Sequence, residues 1–226
     1  MILYMNYLPK LRMWILSKRY TGDFYDADYF ERGKQSGKGW LENYHWMPRR
    51  SFKEAFAFVD HLGLDESNHI LDFGCAKGYL ATAFRFLDIP ADGCDISSYA
   101  LEFAPAYCWN CTEDSSWEGR KYTHVVIKDV LEHLTKDQLP EVLDNIAKVA
   151  PVIMCVVPMG DNGVYRIPEY HVEVSHQIAE SESWWTSAFS RYGWEVTDSQ
   201  YHIPGLKDNW SYHLTGNCVF VLERQK

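Results

Sequence analysis

Within one short stretch, Asn68-His69-Ile70-Leu71-Asp72-Phe73-Gly74-Cys75-Ala76-Lys77-Gly78-Tyr79-Leu80, the chain carries a strand, a glycine turn and the start of a helix. Ile70 and Leu71 precede Asp72 as a buried strand requires, and Ala81, Ala83, Phe84 and Leu87 then recur at helical spacing. Gly74 and Gly78 let the backbone turn sharply and approach a ligand, while the first amides of the helix face the crevice beyond the strand. Such a junction commits the chain to an open α/β sheet with a ligand crevice at the carboxyl ends of its strands. The spacing Asp72-x-Gly74-x-x-x-Gly78 is not the G-x-G-x-x-G of a dinucleotide site. Its leading carboxylate repels phosphate and suits an ammonium group.

The rest of the chain extends this pattern. A helical face (Phe52, Ala55, Phe56, Val59, Leu62) begins at Ser51 and ends at Gly63. After Pro90 a second strand covers 91–95 and ends on Asp95, about 20 residues beyond the turn, where an acid can grip a ribose diol. A helix is expected at 97–103 and a short strand at 107–111. The clearest later strand, 122–128, runs into Asp129-Val130-Leu131-Glu132-His133-Leu134, and Thr135-x-x-Gln138 reads as a capping box for the next helix. Residues 152–157 are continuously apolar, as a central strand should be. A helix at 181–192 and strands at 194–201 and 217–223 bring the sheet to seven strands.

The glycine turn, Asp95 and the string Asp129-x-x-Glu132-His133 together resemble the class I S-adenosylmethionine-dependent methyltransferases; His124 stands where that family usually has an aspartate. The resemblance implies an α/β, Rossmann-like seven-stranded sheet, mostly parallel with an antiparallel last strand and helices on both faces. It implies S-adenosylmethionine as cofactor, held by Asp72, Gly74, Cys75, Ala76, Gly78, Asp95, Ile96, Glu113 and Lys128. Residues after the fourth and fifth strands border the reacting methyl group, so Asp129, Glu132, His133, His171 and His176 are candidates for chemistry. His133 ranks first as a base and His171 second, with Asp129 beside them. In two groups of the family, those of ubiquinone biosynthesis and of small-RNA 3′-end 2′-O-methylation, a similar string binds a divalent metal. Here a Mg²⁺ or Mn²⁺ set would be Asp129, Glu132, His133 and His171.

Acidic residues (31) outnumber basic ones (22), giving a net charge of −9, and the only basic cluster is Arg49-Arg50. That balance argues against a long nucleic-acid partner and so against the RNA-end alternative. The six cysteines are scattered, as in a cytoplasmic protein with reduced thiols. The apolar run at 1–16 is too short and too broken to span a bilayer. Residues 1–50 form an aromatic-rich arm or lid with glycines between the rings, and 51–226 form the methyltransferase-like domain. O-Methylation of a small hydroxylated molecule or saccharide is the expected activity. A non-catalytic, cofactor-binding partner subunit is the alternative from another class, but it predicts decay of the glycine turn or of Asp95, and both are intact.

Overall fold

The computed structural model describes residues 20–111 and 119–225. In chain order the strands are β1 (Ile70–Phe73), β2 (Ala91–Asp95), β3 (Cys108–Asn110), β4 (His124–Lys128), β5 (Val152–Pro158), β6 (Gly160–Asp161), β7 (Val164–Tyr165), β8 (Trp194–Gln200) and β9 (Asn217–Arg224). Seven of them make one sheet in the order β3-β2-β1-β4-β5-β9-β8. The strands from β3 to β5 run parallel, and β9 is antiparallel to both of its neighbours. This is the Rossmann-like sheet that the sequence implied. The order reverses between β1 and β4, so the crevice for a ligand opens at the carboxyl ends of β1, β2 and β4.

The helices are α1 (Ala27–Ser36), α2 (Pro48–Leu62), α3 (Tyr79–Phe86), α4 (Ser98–Leu101), α5 (Leu139–Ala147) and α6 (Glu182–Arg191). One face of the sheet is covered by Leu143 and Ile146 of α5 and Trp185 and Phe189 of α6, packed on Val125, Ile127, Ile153 and Cys155. The other is covered by Ala55 and Phe58 of α2 and Ala81 and Phe84 of α3, over Ile70, Val126, Met154 and Val156. Because both faces are covered, β1 is buried along its whole length and β5 everywhere but its first residue, which is why those runs lack alternation.

Three local features differ from the sequence expectation. Helix α2 starts at Pro48, before Ser51, because proline's fixed φ suits a first helical turn. Helix α4 is a single turn that ends at Leu101, two residues short of Phe103, since Pro105 follows and bends the chain toward β3. The β6–β7 hairpin turns on Asn162-Gly163, a strong hairpin signal whose flanking strands are too short to show alternation.

The aromatic segment contains a helix of its own. Asp26 caps α1 by accepting from the Tyr29 N–H at 3.1 Å, and Gly37 ends it. Tyr29 and Phe30 then pack with Ala100, Tyr99, Tyr44 and Ala76 in a small separate core against the glycine turn. Lys77, buried within that turn, donates from Nζ to Glu31 Oε1 (2.6 Å) and to the Tyr44 carbonyl (2.8 Å). Since Leu143 is fully buried, Leu143→Ala is expected to remove about 2–5 kcal/mol of stability. Urea titration should read this as a lower midpoint at an unchanged slope.

Candidate active site

The turn between β1 and α3 is built from strained or close-packed positions. Gly74 has φ +80°, and a Cβ there would lie 2.3 Å from Val130 Cγ2, so only glycine fits between β1 and the segment after β4. Gly78 caps α3 in the left-handed region, and Ala76 takes a positive φ as well. The amides of Gly74 and Cys75 donate to the Cys94 carbonyl, and the Ala76 N–H donates to Asp95 Oδ2 at 2.7 Å. These groups therefore hold the shape of the turn and are not free donors. Asp72 accepts from the Ala81 N–H at 3.1 Å, and burial pushes its carboxyl up to about 7. Burial also raises Asp95, against the pull of its bonds to the Ser97 and Ala76 amides.

A cavity of about 540 Å³ spans from this turn to the segment after β4. Of the residues expected to hold a cofactor, Asp72, Gly74, Cys75, Ala76, Asp95, Ile96 and Lys128 line it. Gly78 does not, and contributes by shaping the turn. Glu113 lies outside the described residues. The aromatic segment supplies the opposite wall, including Tyr25, Tyr29, Trp40 and Tyr44.

Asp129 sits at φ +59°, a strained position for a side-chain-bearing residue. Its carboxylate meets Lys128 Nζ at 2.9 Å and Lys207 Nζ at 2.5 Å. Although desolvation opposes ionisation, those two ammonium groups hold the carboxyl well below the usual carboxylate range. It is thus a weak proton acceptor, clamped electrostatically between two lysines beside the histidines. Lys207, itself at positive φ, was not among the candidates, for it lies far along the chain in an aromatic loop that carries no motif.

Beyond Asp129 the site becomes neutral. Burial pushes Glu132 well above the usual carboxylate range, His133 down to about 4 and His176 well below its ordinary value. His133 Nδ1 lies 2.9 Å from Ser175 Oγ. Ser175 in turn donates to Glu173 Oε1 at 2.9 Å, so its oxygen accepts from a proton on Nδ1. That leaves His133 Nε2 as the basic nitrogen. Glu132 Oε2 and Glu169 Oε2 are buried with no hydrogen-bond partner, and both residues line the cavity.

His171 is a correction. It is exposed, and its Nε2 accepts from the Tyr165 N–H at 3.2 Å, so it braces the β6–β7 hairpin away from the cavity. His176 reaches the site in its place, its ring 4.7 Å from that of His133. The expected metal set of Asp129, Glu132, His133 and His171 therefore does not assemble. Glu132, His133 and His176 do bring one ligand atom each within 4.8 Å of the others. That trio has a single acid, whose ionised form burial disfavours, and two imidazoles, a poor donor set for a hard divalent cation.

Comparison with known proteins agrees with this geometry. A methyltransferase-domain family matches residues 45–199. A chain of the complex between the Haloferax volcanii Trm112 methyltransferase activator and the putative methyltransferase superposes with a TM-score of 0.66 at 16% identity, over 92% of this chain and 98% of that one. An S-adenosylmethionine-dependent methyltransferase of Archaeoglobus fulgidus gives 0.57 at 12% identity, over 75% and 92%. Magnesium protoporphyrin IX methyltransferase of Synechocystis, with bound S-adenosylhomocysteine, gives 0.56 at 14% identity, over 79% and 84%. No curated protein sequence matches. Among the described residues no helix is long and apolar enough to cross a membrane. The family match covers the glycine turn, Asp95 and the Asp129–His133 segment alike, and the chain belongs to the S-adenosylmethionine-dependent methyltransferases.

Proposed function

We propose that this methyltransferase transfers the methyl group to a hydroxyl oxygen of a small polyhydroxylated molecule or saccharide, with His133 Nε2 as the general base. The observation that carries the reading is the neutral imidazole of His133, tied at Nδ1 to Ser175, on the wall of a cavity that Glu132 and Glu169 also line. Trp40 and Trp210, 5.9 Å apart between ring centroids, line the same cavity and offer faces for a sugar ring.

In this reading the cofactor's amino-acid end meets Asp72 and its ribose meets Asp95, which brings the sulfonium methyl toward Asp129 and His133. The acceptor oxygen forms the new O–C bond as the C–S bond breaks. Its proton passes to His133 Nε2, and S-adenosylhomocysteine leaves. The segment around α1, which walls the cavity, excludes water from the sulfonium.

Transfer of labelled methyl from S-adenosylmethionine to a panel of saccharides, polyols and phenols tests the acceptor class. His133→Ala should cut turnover about 10²–10⁴-fold with an unchanged cofactor Kd; full activity in that variant would refute the base assignment. Asp95→Ala should weaken cofactor binding by roughly 1.5–3 kcal/mol in calorimetry, and an unchanged Kd would remove Asp95 from the ribose site.

Asp72 adds a pH dependence. Its carboxyl, raised to about 7 in the free protein, must ionise to pair with the cofactor's ammonium group. Binding then releases a proton, so affinity should fall about tenfold per pH unit as pH drops below about 7. Calorimetry in two buffers of different ionisation enthalpy would detect that proton; binding independent of pH from 5 to 8 would count against the pairing.

A further inference from the structure

Four groups from distant parts of the chain form one hydrogen-bonded line into the cavity. The backbone N–H of Trp40, in the segment after α1, donates to Glu173 Oε2 at 3.1 Å. Glu173 Oε1 accepts from Ser175 Oγ at 2.9 Å, and Ser175 Oγ meets His133 Nδ1 at 2.9 Å. Both interior members are buried, Ser175 completely and Glu173 at 7% exposure. The segment approaches closely because residue 39 is glycine: a Cβ there would fall 2.2 Å from Glu173 Oε2. Tyr25, from the same segment, sets its ring at right angles to that of His133 and hydrogen-bonds Ser175.

The direction of these bonds matters. A serine hydroxyl has one proton. While Glu173 accepts it, the Ser175 oxygen can only accept from His133, which fixes the Nδ1–H tautomer and puts the lone pair on Nε2. A serine freed from Glu173 could turn its proton toward Nδ1 and select the opposite tautomer, whose Nε2 carries hydrogen and cannot take a proton.

We infer that Glu173 and Ser175 are positioning residues that fix the tautomer of His133, and that the Trp40 amide makes this arrangement depend on the docked N-terminal segment. The inference rests on His133 as the base, but its geometry can be read without any acceptor. The buried line explains why Glu173 bonds the arm through one oxygen and the serine that meets His133 through the other.

The test is ¹⁵N NMR of the His133 ring in the complex with S-adenosylhomocysteine. The wild type is expected to hold the Nδ1–H tautomer alone. In Ser175→Ala and Glu173→Gln the Nε2–H tautomer should appear, since an amide at 173 can donate where the carboxylate accepted. Gly39→Ala, which pushes the segment off Glu173, should move the ring in the same direction. With an acceptor from the screen, kcat in these variants should fall roughly 10- to 100-fold, the loss common when an orienting partner goes, while the KM for the cofactor stays put. An unchanged ¹⁵N pattern in both Ser175→Ala and Glu173→Gln overturns the inference whatever the activity, and so does a wild-type ring in the Nε2–H form. If the tautomer shifts as expected but His133→Ala still transfers methyl, the relay stands and the base assignment fails. Cofactor Kd and thermal midpoint, measured on each variant, separate both outcomes from misfolding.

Discussion

Asp95 is a half-buried carboxylate shared between two backbone amides, and the ligand crevice depends on it. One oxygen holds the Ala76 N–H of the glycine turn and the other holds the Ser97 N–H at the start of α4. The two strand tips on either side of the crevice are thereby fixed to each other before any ligand arrives. The N-terminal segment builds on the same point. Ser97 Oγ donates to the Tyr25 carbonyl, Gly22 lies against the Ile96 carbonyl, and Lys77 next to Ala76 is tied to Glu31. A lysine with its head group buried is tolerated only when a charge partner is at hand. The segment is therefore part of the packing of the turn as well as its cover.

Much of the fold was legible because its signals are local. The β1–turn–α3 junction reads from adjacent residues, and the apolar run of β5 reads from burial on two faces. Helix α1 was hidden because Tyr29 and Phe30 pack on Ala100 and Tyr99, partners far along the chain, and the glycines and aromatics around them blur any helical period. Its one local mark was Asp26, which caps the first turn.

The residues proposed for the cofactor are placed by the same local signals as the junction, and those on the acceptor side are not. Asp72, Gly74 and Asp95 sit at strand tips, where position along the chain fixes position in space. By contrast, His171, Glu173, Ser175 and His176 lie in an irregular stretch where no period says which side chains turn inward. His171 ranks above His176 in the sequence, yet the β6–β7 hairpin captures the first while the Gln177 and Ile178 amides, bonded to the Glu132 carbonyl, draw the second to the site. Lys207 had no sequence signal at all; its role is set by a chain reversal that brings it onto Asp129.

The charges of the site are sorted in a way that suits a cationic donor. Lys128 and Lys207 keep Asp129 ionised, whereas burial disfavours the ionised form of Glu132 and the protonated forms of His133 and His176. A protonated imidazole beside a sulfonium would repel it, and a histidine depressed to about 4 is neutral throughout the physiological range. In the proposed reaction the sulfonium loses its charge as the methyl leaves, and a proton taken by His133 would restore one positive charge within the same cavity. The reaction then displaces charge over a short distance without creating or destroying it in a desolvated space. Asp129, whose field favours the protonated form of His133, stands where that displaced charge arrives. Preorganised charge of this kind needs no rearrangement during the reaction, which is the condition under which electrostatics lowers a barrier most. A fixed carboxylate clamped by two lysines meets it better than a carboxylate free to titrate.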